Sequence, residues 1–393
     1  MKKVFLFSLF LVLGLVLSQC LPVWLGEAFL TAEKVAKTLM FVCLAFIMIN
    51  VGREFELDKT KWRSYAADYF IAMATAAVPW IMVAFYYMFL LPADLFGNWD
   101  AWKENLLLSR FAAPTSAGIL FTMLAAAGLR REWIYKKTQV LAIFDDLDTI
   151  LLMIPLQIFM IGFKWQLFAV VIVITFLLVI GWKKLGTIRL SQTWNSILFY
   201  AVCIVAVTES IYLLTKWMMG ADGAIHIEVL LPAFVLGMVM KTVHQHGNRD
   251  EKITGMISYL FMFLVGLSTP QFIGIDHGHR ITEAVGIIAA QPMPSWEVLV
   301  VHVIVVTLLS NLGKMFPLFF YRDRQLEERL ALSVGMFTRG EVGAGIIVIA
   351  MGYNLGGPAL IISVLSLVLN LLLTGGFVVI VKRLAQQAYG LKE

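Results

Sequence analysis

Cysteine and charge are both scarce in this 393-residue chain. Its three cysteines, Cys20, Cys43 and Cys203, each sit inside an apolar stretch. Isolated thiols in such surroundings exclude a disulfide framework and a cysteine-based metal centre. Charged residues make up 15% of the chain, where a soluble domain carries about 25%. With 60% hydrophobic residues, there is too little polar surface for a soluble protein of this size. The net charge of +5 is scattered over short joints between apolar runs, so nucleic acid is not an expected partner. The opening MKKVFLFSLFLVLGLVLSQC begins like a secretory leader. It lacks a small-residue cleavage site and its apolar run is long for one, so it reads as a first membrane span.

What the chain has in quantity is apolar runs of bilayer-crossing length, about 20 residues each. Division at charged and Pro/Gly-rich joints predicts an all-α polytopic membrane protein of about 12 transmembrane helices. They lie near 4–21, 36–52, 66–92, 105–128, 138–161, 165–182, 194–215, 227–241, 253–269, 296–320, 329–352 and 357–381. Lysine and arginine test the division. Of the 31, the segments on one side hold 22, those on the other hold six, and three lie within spans. That asymmetry predicts cytoplasmic termini. The tail VKRLAQQAYGLKE ends almost at the membrane, so no cytoplasmic nucleotide-sensing or kinase domain is expected after it.

Within this apolar background, LAIFDDLDTILL (141–152) carries three aspartates in four residues. Each carboxylate at the centre of a membrane helix costs about 2.5–3.5 kcal/mol on insertion scales, so the cluster needs a compensating reason. At 1.5 Å per residue, Asp145 and Asp146 lie about 9–11 Å deep and Lys314 about 9 Å from the same surface. A lysine at matched depth can neutralise one carboxylate. A structural ion pair between two helices needs only one aspartate, so the second is the informative one. Two adjacent carboxylates do not both ionise cheaply unless a cation or an ammonium group stands beside them. Such a site holds protons or a metal cation, but not both well, which is the chemistry of ion exchange. Asp148 is either a third ligand or the partner of an arginine. Arg110, about 8 Å from the outer surface, either snorkels or biases the outer mouth against cations.

Two spans carry backbone breakers at mid-depth. One reads SRFAAPTSAGIL, with Pro114; the other reads GMFTRGEVGAGII, with Gly340. They occupy corresponding positions in opposite orientations, which predicts an inverted repeat with two crossing broken helices. Interrupted helices in paired halves are the strongest sequence pointer to a transporter's midplane binding site. Their unwound peptides, with the hydroxyls of Thr115 and Ser116, offer oxygens to a cation. Arg339 and Glu341 in the second break compensate the partial charges of facing half-helix ends. Asn50, Glu209, Asn311 and Asn370 read as interhelical hydrogen-bond partners, and His244, His246, His277 and His279 as solvated loop residues.

These segments resemble the prokaryotic sodium/proton antiporters of the cation–proton antiporter superfamily. FIMINVGREFELDKTKW resembles the family's early helix end, AAPTSAGIL its broken helix, FDD its aspartate pair, SNLGKMF its core lysine, and GMFTRGEVG its arginine–glycine–glutamate segment. The resemblance implies a core ion-transport bundle of residues 64–161 and 295–383. Residues 1–63 and 162–294 would form a scaffold and dimer panel, and 384–393 a short tail. It also implies that Asp146 is the main ion- and proton-binding carboxylate and that Asp145 pairs with Lys314 when no cation is bound. The function implied is electrogenic exchange of Na+ or Li+ for H+ by elevator-type movement, in a homodimer in the bacterial inner membrane, with no cofactor and no enzymatic activity. A potassium/proton antiporter and a sodium-coupled organic-anion symporter of similar fold are the rival readings; the symporter would not need Lys314 facing the aspartates. An intramembrane aspartyl protease is excluded, because it needs its two aspartates on separate helices.

Overall fold

Lipid offers the backbone no hydrogen-bond partner, so apolar spanning segments satisfy their own amides as helices. The computed structural model describes residues 2–390 except 26–27, 54–61, 117–123, 125–128, 130–131, 162–171, 173–175, 178, 182, 185, 220–228, 242–247, 270–285 and 354. The described residues form α1 (Lys2–Leu25), α2 (Ala28–Arg53), α3 (Trp62–Phe89), α4 (Trp99–Ser109), α5 (Trp133–Ile161) and α6 (Trp194–Met219). There follow α7 (Leu230–Val239), α8 (Asn248–Leu267), α9 (Trp296–Gly313), α10 (Leu326–Gly335), α11 (Glu341–Gly352) and α12 (Gly357–Tyr389). Among them there is no strand; Ile188 and Met240 form an isolated bridge. The all-helical membrane class predicted from the sequence is what the chain adopts. Five helical segments among the described residues are long and apolar enough to cross a bilayer: Ala32–Arg53, Ala66–Phe89, Trp194–Trp217, Trp296–Phe319 and Gly357–Tyr389.

One predicted boundary moves, and one predicted span changes helix type before its end, for local reasons. The fourth span was expected to begin at residue 105, with the charged residues before it in a loop. Instead, α4 starts at Trp99, because the Asn98 side chain accepts from the backbone N–H groups of Asp100 and Ala101 and caps the helix. The tenth span was expected to run to residue 320, and a segment of bilayer-crossing length does reach Phe319, but not as one regular helix. Regular helix stops at Gly313 and is followed by a 3₁₀ turn, Phe316–Phe319. Pro317 has no N–H for the Gly313 carbonyl and its ring crowds that carbonyl, so the ladder ends there.

The chain divides into two compact units. One comprises Met1–Trp24, Thr60–Met160 and Val265–Glu393; the other comprises Leu25–Lys59 and Ile161–Leu264. In the second unit, α2 packs on α6 and α7. A Cβ on Gly52 would overlap the Phe234 carbonyl oxygen, and one on Gly237 the Ile49 carbonyl oxygen. The two backbones touch there because neither helix presents a side chain. Arg53, at the end of α2, reaches Gln192 at 2.9 Å. Asn50 bonds within its own helix, to the Phe46 carbonyl, not across helices as expected.

In the first unit, α3 packs on α4 and α9, while α12 packs on α9 and α10. A polar ladder joins α9 to α12: Thr307 meets Ser366 at 2.9 Å, and Asn370 donates to Asn311 at 2.9 Å. The start of α5 is tied to α3 and to the segment after α9. Lys137 holds both carboxylate oxygens of Asp68 at 2.9 Å, and the Tyr321 hydroxyl donates to Asp68 at 2.8 Å. Burial and the Asp68 carboxylate push the Tyr321 phenol above its ordinary range.

Candidate functional site

The first unit contains both helix interruptions. After α4 the chain makes a 3₁₀ turn, Arg110–Ala112, and then runs without regular structure to Ser116. Between α10 and α11 it is non-helical from Met336 to Gly340. The two open stretches bond to each other. The Ser116 amide donates to the Thr338 carbonyl at 2.9 Å, and the Thr115 hydroxyl donates to the Met336 carbonyl at 3.1 Å. Thr115 thereby commits its proton but keeps oxygen lone pairs to offer. Gly343 lets α11 approach the first break, since a Cβ there would stand 3.1 Å from the Phe111 carbonyl oxygen and 3.8 Å from the Pro114 ring.

Arg339 bridges the breaks. It is 1% exposed. Its guanidinium donates to the carbonyls of Pro114 at 3.4 Å and Met336 at 3.2 Å, and to that of Ser310 at 3.2 Å. Met336 closes α10 and Ser310 lies in the last turn of α9, so the cation faces two helix C-termini, where partial negative charge collects. Gly340 precedes α11 as its N-cap residue. Glu341 opens α11, where an acid suits the helix dipole; its side chain lies outside what is described, as do the four loop histidines.

Helix α5 brings the aspartates to this crossing. Asp145, Asp146 and Asp148 are 0%, 1% and 2% exposed. Lys314, the residue that caps α9, is fully buried and donates to both oxygens of Asp145, at 3.0 and 2.8 Å. Asp146 lies within electrostatic reach of the same ammonium. Arg110 does not snorkel: it is 0% exposed and donates to Asp148 at the backbone carbonyl, 2.9 Å, and at the carboxylate, 3.2 Å. Its guanidinium lies 4.4 Å from the Trp80 ring centroid. Asp148 is thus the partner of an arginine. Arg110 Nε and Nη1 are buried without a protein hydrogen-bond partner among the described residues.

One neighbour escaped sequence reasoning. Thr149 is 1% exposed, and its hydroxyl has no hydrogen-bond partner among the described residues. At about 100° per residue, it sits on α5 at an angle between those of Asp145 and Asp146, one turn further along. The spacing i, i+3 and i, i+4 from the aspartates was the available signal.

Three buried cations, Arg110, Lys314 and Arg339, thus stand among three buried carboxylates. With all six ionised, their formal charges cancel.

The family described as "Sodium/hydrogen exchanger, transmembrane" matches residues 2–384. Among solved structures, the sodium proton antiporter MjNhaP1 from Methanocaldococcus jannaschii at pH 8 is similar at 11% identity and TM-score 0.53, over 98% of this chain and 92% of that one. An electron-microscopy map of the same antiporter gives 13% identity and TM-score 0.51 with the same coverage. No curated protein matches the chain.

Proposed function

The chain belongs to the sodium/hydrogen exchanger family, whose members are membrane transporters and not enzymes, and on that premise we propose that it exchanges Na+ or Li+ for H+ at Asp145 and Asp146. The observation that carries this reading is the fully buried Lys314 ammonium on Asp145, with a second buried carboxylate next to it. In the sodium-free state of the proposed cycle Asp146 is protonated, which leaves the cluster one positive charge in excess. A sodium ion entering there, with Thr115, Ser116 and Thr149 as further oxygen donors, raises the excess to two. The cluster regains neutrality when two protons leave.

Lysine is the group suited to that release, because an ammonium can give up its proton and a guanidinium cannot. In the proposed cycle, sodium displaces a proton from Asp146 and a second from Lys314, which frees Asp145 as a ligand. Two protons then cross for each sodium ion, and the exchange is electrogenic.

Every candidate ion residue lies in the unit formed by Met1–Trp24, Thr60–Met160 and Val265–Glu393. We assign the transport core to residues 64–161 and 295–383 within it, moving elevator-like against a panel that also forms a homodimer. The distribution of lysine and arginine supports cytoplasmic termini, in a bacterial inner membrane.

The test is proton flux in proteoliposomes carrying a preset pH gradient and a pH dye. Sodium or lithium is expected to collapse the gradient in wild type and not in Asp146→Asn. Collapse by potassium alone would move the reading to a potassium/proton antiporter, and retention of sodium flux in Asp146→Asn would remove that carboxylate from its role.

A further inference from the structure

Besides the pair of Lys137 with Asp68 at its start, two buried ion pairs hold the middle of α5, and they differ in chemistry. Lys314 on Asp145 can be dismantled by proton loss. Arg110 on Asp148, three residues along the same helix, cannot, since a guanidinium stays charged at any pH the protein meets. The first pair suits a reaction cycle; the second suits a fixture.

Stability alone does not account for that fixture. Burying an ion pair costs desolvation, and well-packed apolar replacements are often as stable or more so. Its position is more informative. Arg110 occupies the turn that ends α4, and Pro114, Thr115 and Ser116 follow within six residues. One guanidinium nitrogen grips α5 at both the carbonyl and the carboxylate of Asp148. The guanidinium also lies against Trp80, whose indole N–H donates to the Leu106 carbonyl of α4 at 2.7 Å. The turn is therefore tied to α5 on one side and braced on α4 through Trp80 on the other. The first break cannot slide along α5 without breaking one of these contacts.

We propose that Arg110 and Asp148 are a positioning pair that sets the spacing between the oxygens of Thr115 and Ser116 and the carboxylate of Asp146, and thereby sets which alkali cation the site accepts. The proposal rests on the ion-site reading above. Among cations of equal charge, selection depends on cavity size, ligand number and ligand flexibility. A strut that takes no part in proton exchange keeps those constant through the cycle. Asp148, held by an arginine, need not take up a proton in place of Asp146.

The experiment compares wild type, Arg110→Lys, Asp148→Glu and the double variant Arg110→Gln/Asp148→Asn in proteoliposomes. It reads apparent KM for Li+, Na+ and K+, maximal rate, and the pH profile. Arg110→Lys keeps the charge but loses the planar fork and the stacking; Asp148→Glu keeps both charges and lengthens the strut. The double variant removes both charges together, so neither is left buried alone. Loss of supporting contacts to ion ligands typically costs about 10–100-fold in affinity. The expectation is a rise of about tenfold in KM for Li+ and Na+, with a smaller change for K+, so that the sodium-to-potassium preference narrows.

A merely structural pair would lower the yield of folded protein and leave the cation ratios of the surviving molecules at wild-type values. That result in Asp148→Glu and Arg110→Lys overturns the inference while wild-type sodium flux, lost in Asp146→Asn, keeps the site reading intact. If wild type itself shows no cation-driven proton flux, the site reading falls and this inference falls with it.

Discussion

The two interrupted segments of the first unit each carry a buried arginine, and they use it differently. Arg110, in the first break, answers a full negative charge on a single residue, Asp148. Among the described residues, the hydrogen bonds of Arg339, in the second, go to carbonyl oxygens, and these come from three separate places: Pro114, Met336 and Ser310. One arginine works as a strut between two elements, the other as a hub for several chain ends. A buried cation can thus be held by the partial charges at helix ends as well as by a carboxylate.

That comparison can be broken most readily at Arg339. Arg339→Met removes a donor from three buried carbonyls; Met336 keeps the Thr115 hydroxyl, while Pro114 and Ser310 each lose the guanidinium at about 1–3 kcal/mol. The expected outcome is loss of most folded protein, read by size-exclusion chromatography after heating in detergent. Arg339→Lys should recover part of it, because a single ammonium reaches fewer of the three. If Arg339→Met melts with wild type, the hub description is wrong.

Thr115→Val tests the direct link between the breaks. It deletes the hydroxyl donation to Met336 with little change of shape and should cost about 1 kcal/mol, together with a several-fold rise in sodium KM. Thr115→Ser, which keeps the hydroxyl, should stay near wild type. Gly343→Ala probes the same contact from α11. Its new methyl meets the Phe111 carbonyl oxygen at 3.1 Å, so the turn carrying Arg110 must give by a few tenths of an ångström, at about 1 kcal/mol. The smallest effect on folding is expected at Thr149→Val. Removing a buried hydroxyl that has no partner among the described residues should leave the melting temperature unchanged or raise it, while sodium KM rises a few-fold. A fall in stability there would mean that the hydroxyl serves the fold and not the ion.

The legible features of this molecule were those that depend on counting along one helix. Matched depths, about 9–11 Å for the aspartate pair and about 9 Å for Lys314, followed from rise per residue alone, and the structure brings Lys314 to Asp145 at 2.8 Å. Pro114 and Gly340 marked where regular helix would fail, for reasons local to proline and glycine. Contacts between elements were not legible. Depth counting left Arg110 free to snorkel or to guard the outer mouth, and only the approach of α4 to α5 supplies Asp148 as its partner. Arg339 was expected to balance helix-end charges, yet nothing in its spacing revealed that the ends of α9 and α10 both converge on it. Where α4 begins was hidden because Asp100, Lys103 and Glu104 look like loop, and the Asn98 cap that overrides them is a matter of side-chain geometry. Similarly, the stop at Gly313 is decided four residues later, by Pro317.

The crossing of α2 and α7 has a consequence for how the gene can drift. At Gly52 and Gly237 each backbone occupies the volume that the other's first side-chain carbon would need. Neither position can be the first to change: alanine at either one forces two helices apart before any compensating substitution exists. Exposed apolar positions such as Phe199 and Val202 on α6 have no such backbone in their way and can wander among apolar residues one at a time. Residues 52 and 237 are therefore expected to persist or be lost as a pair.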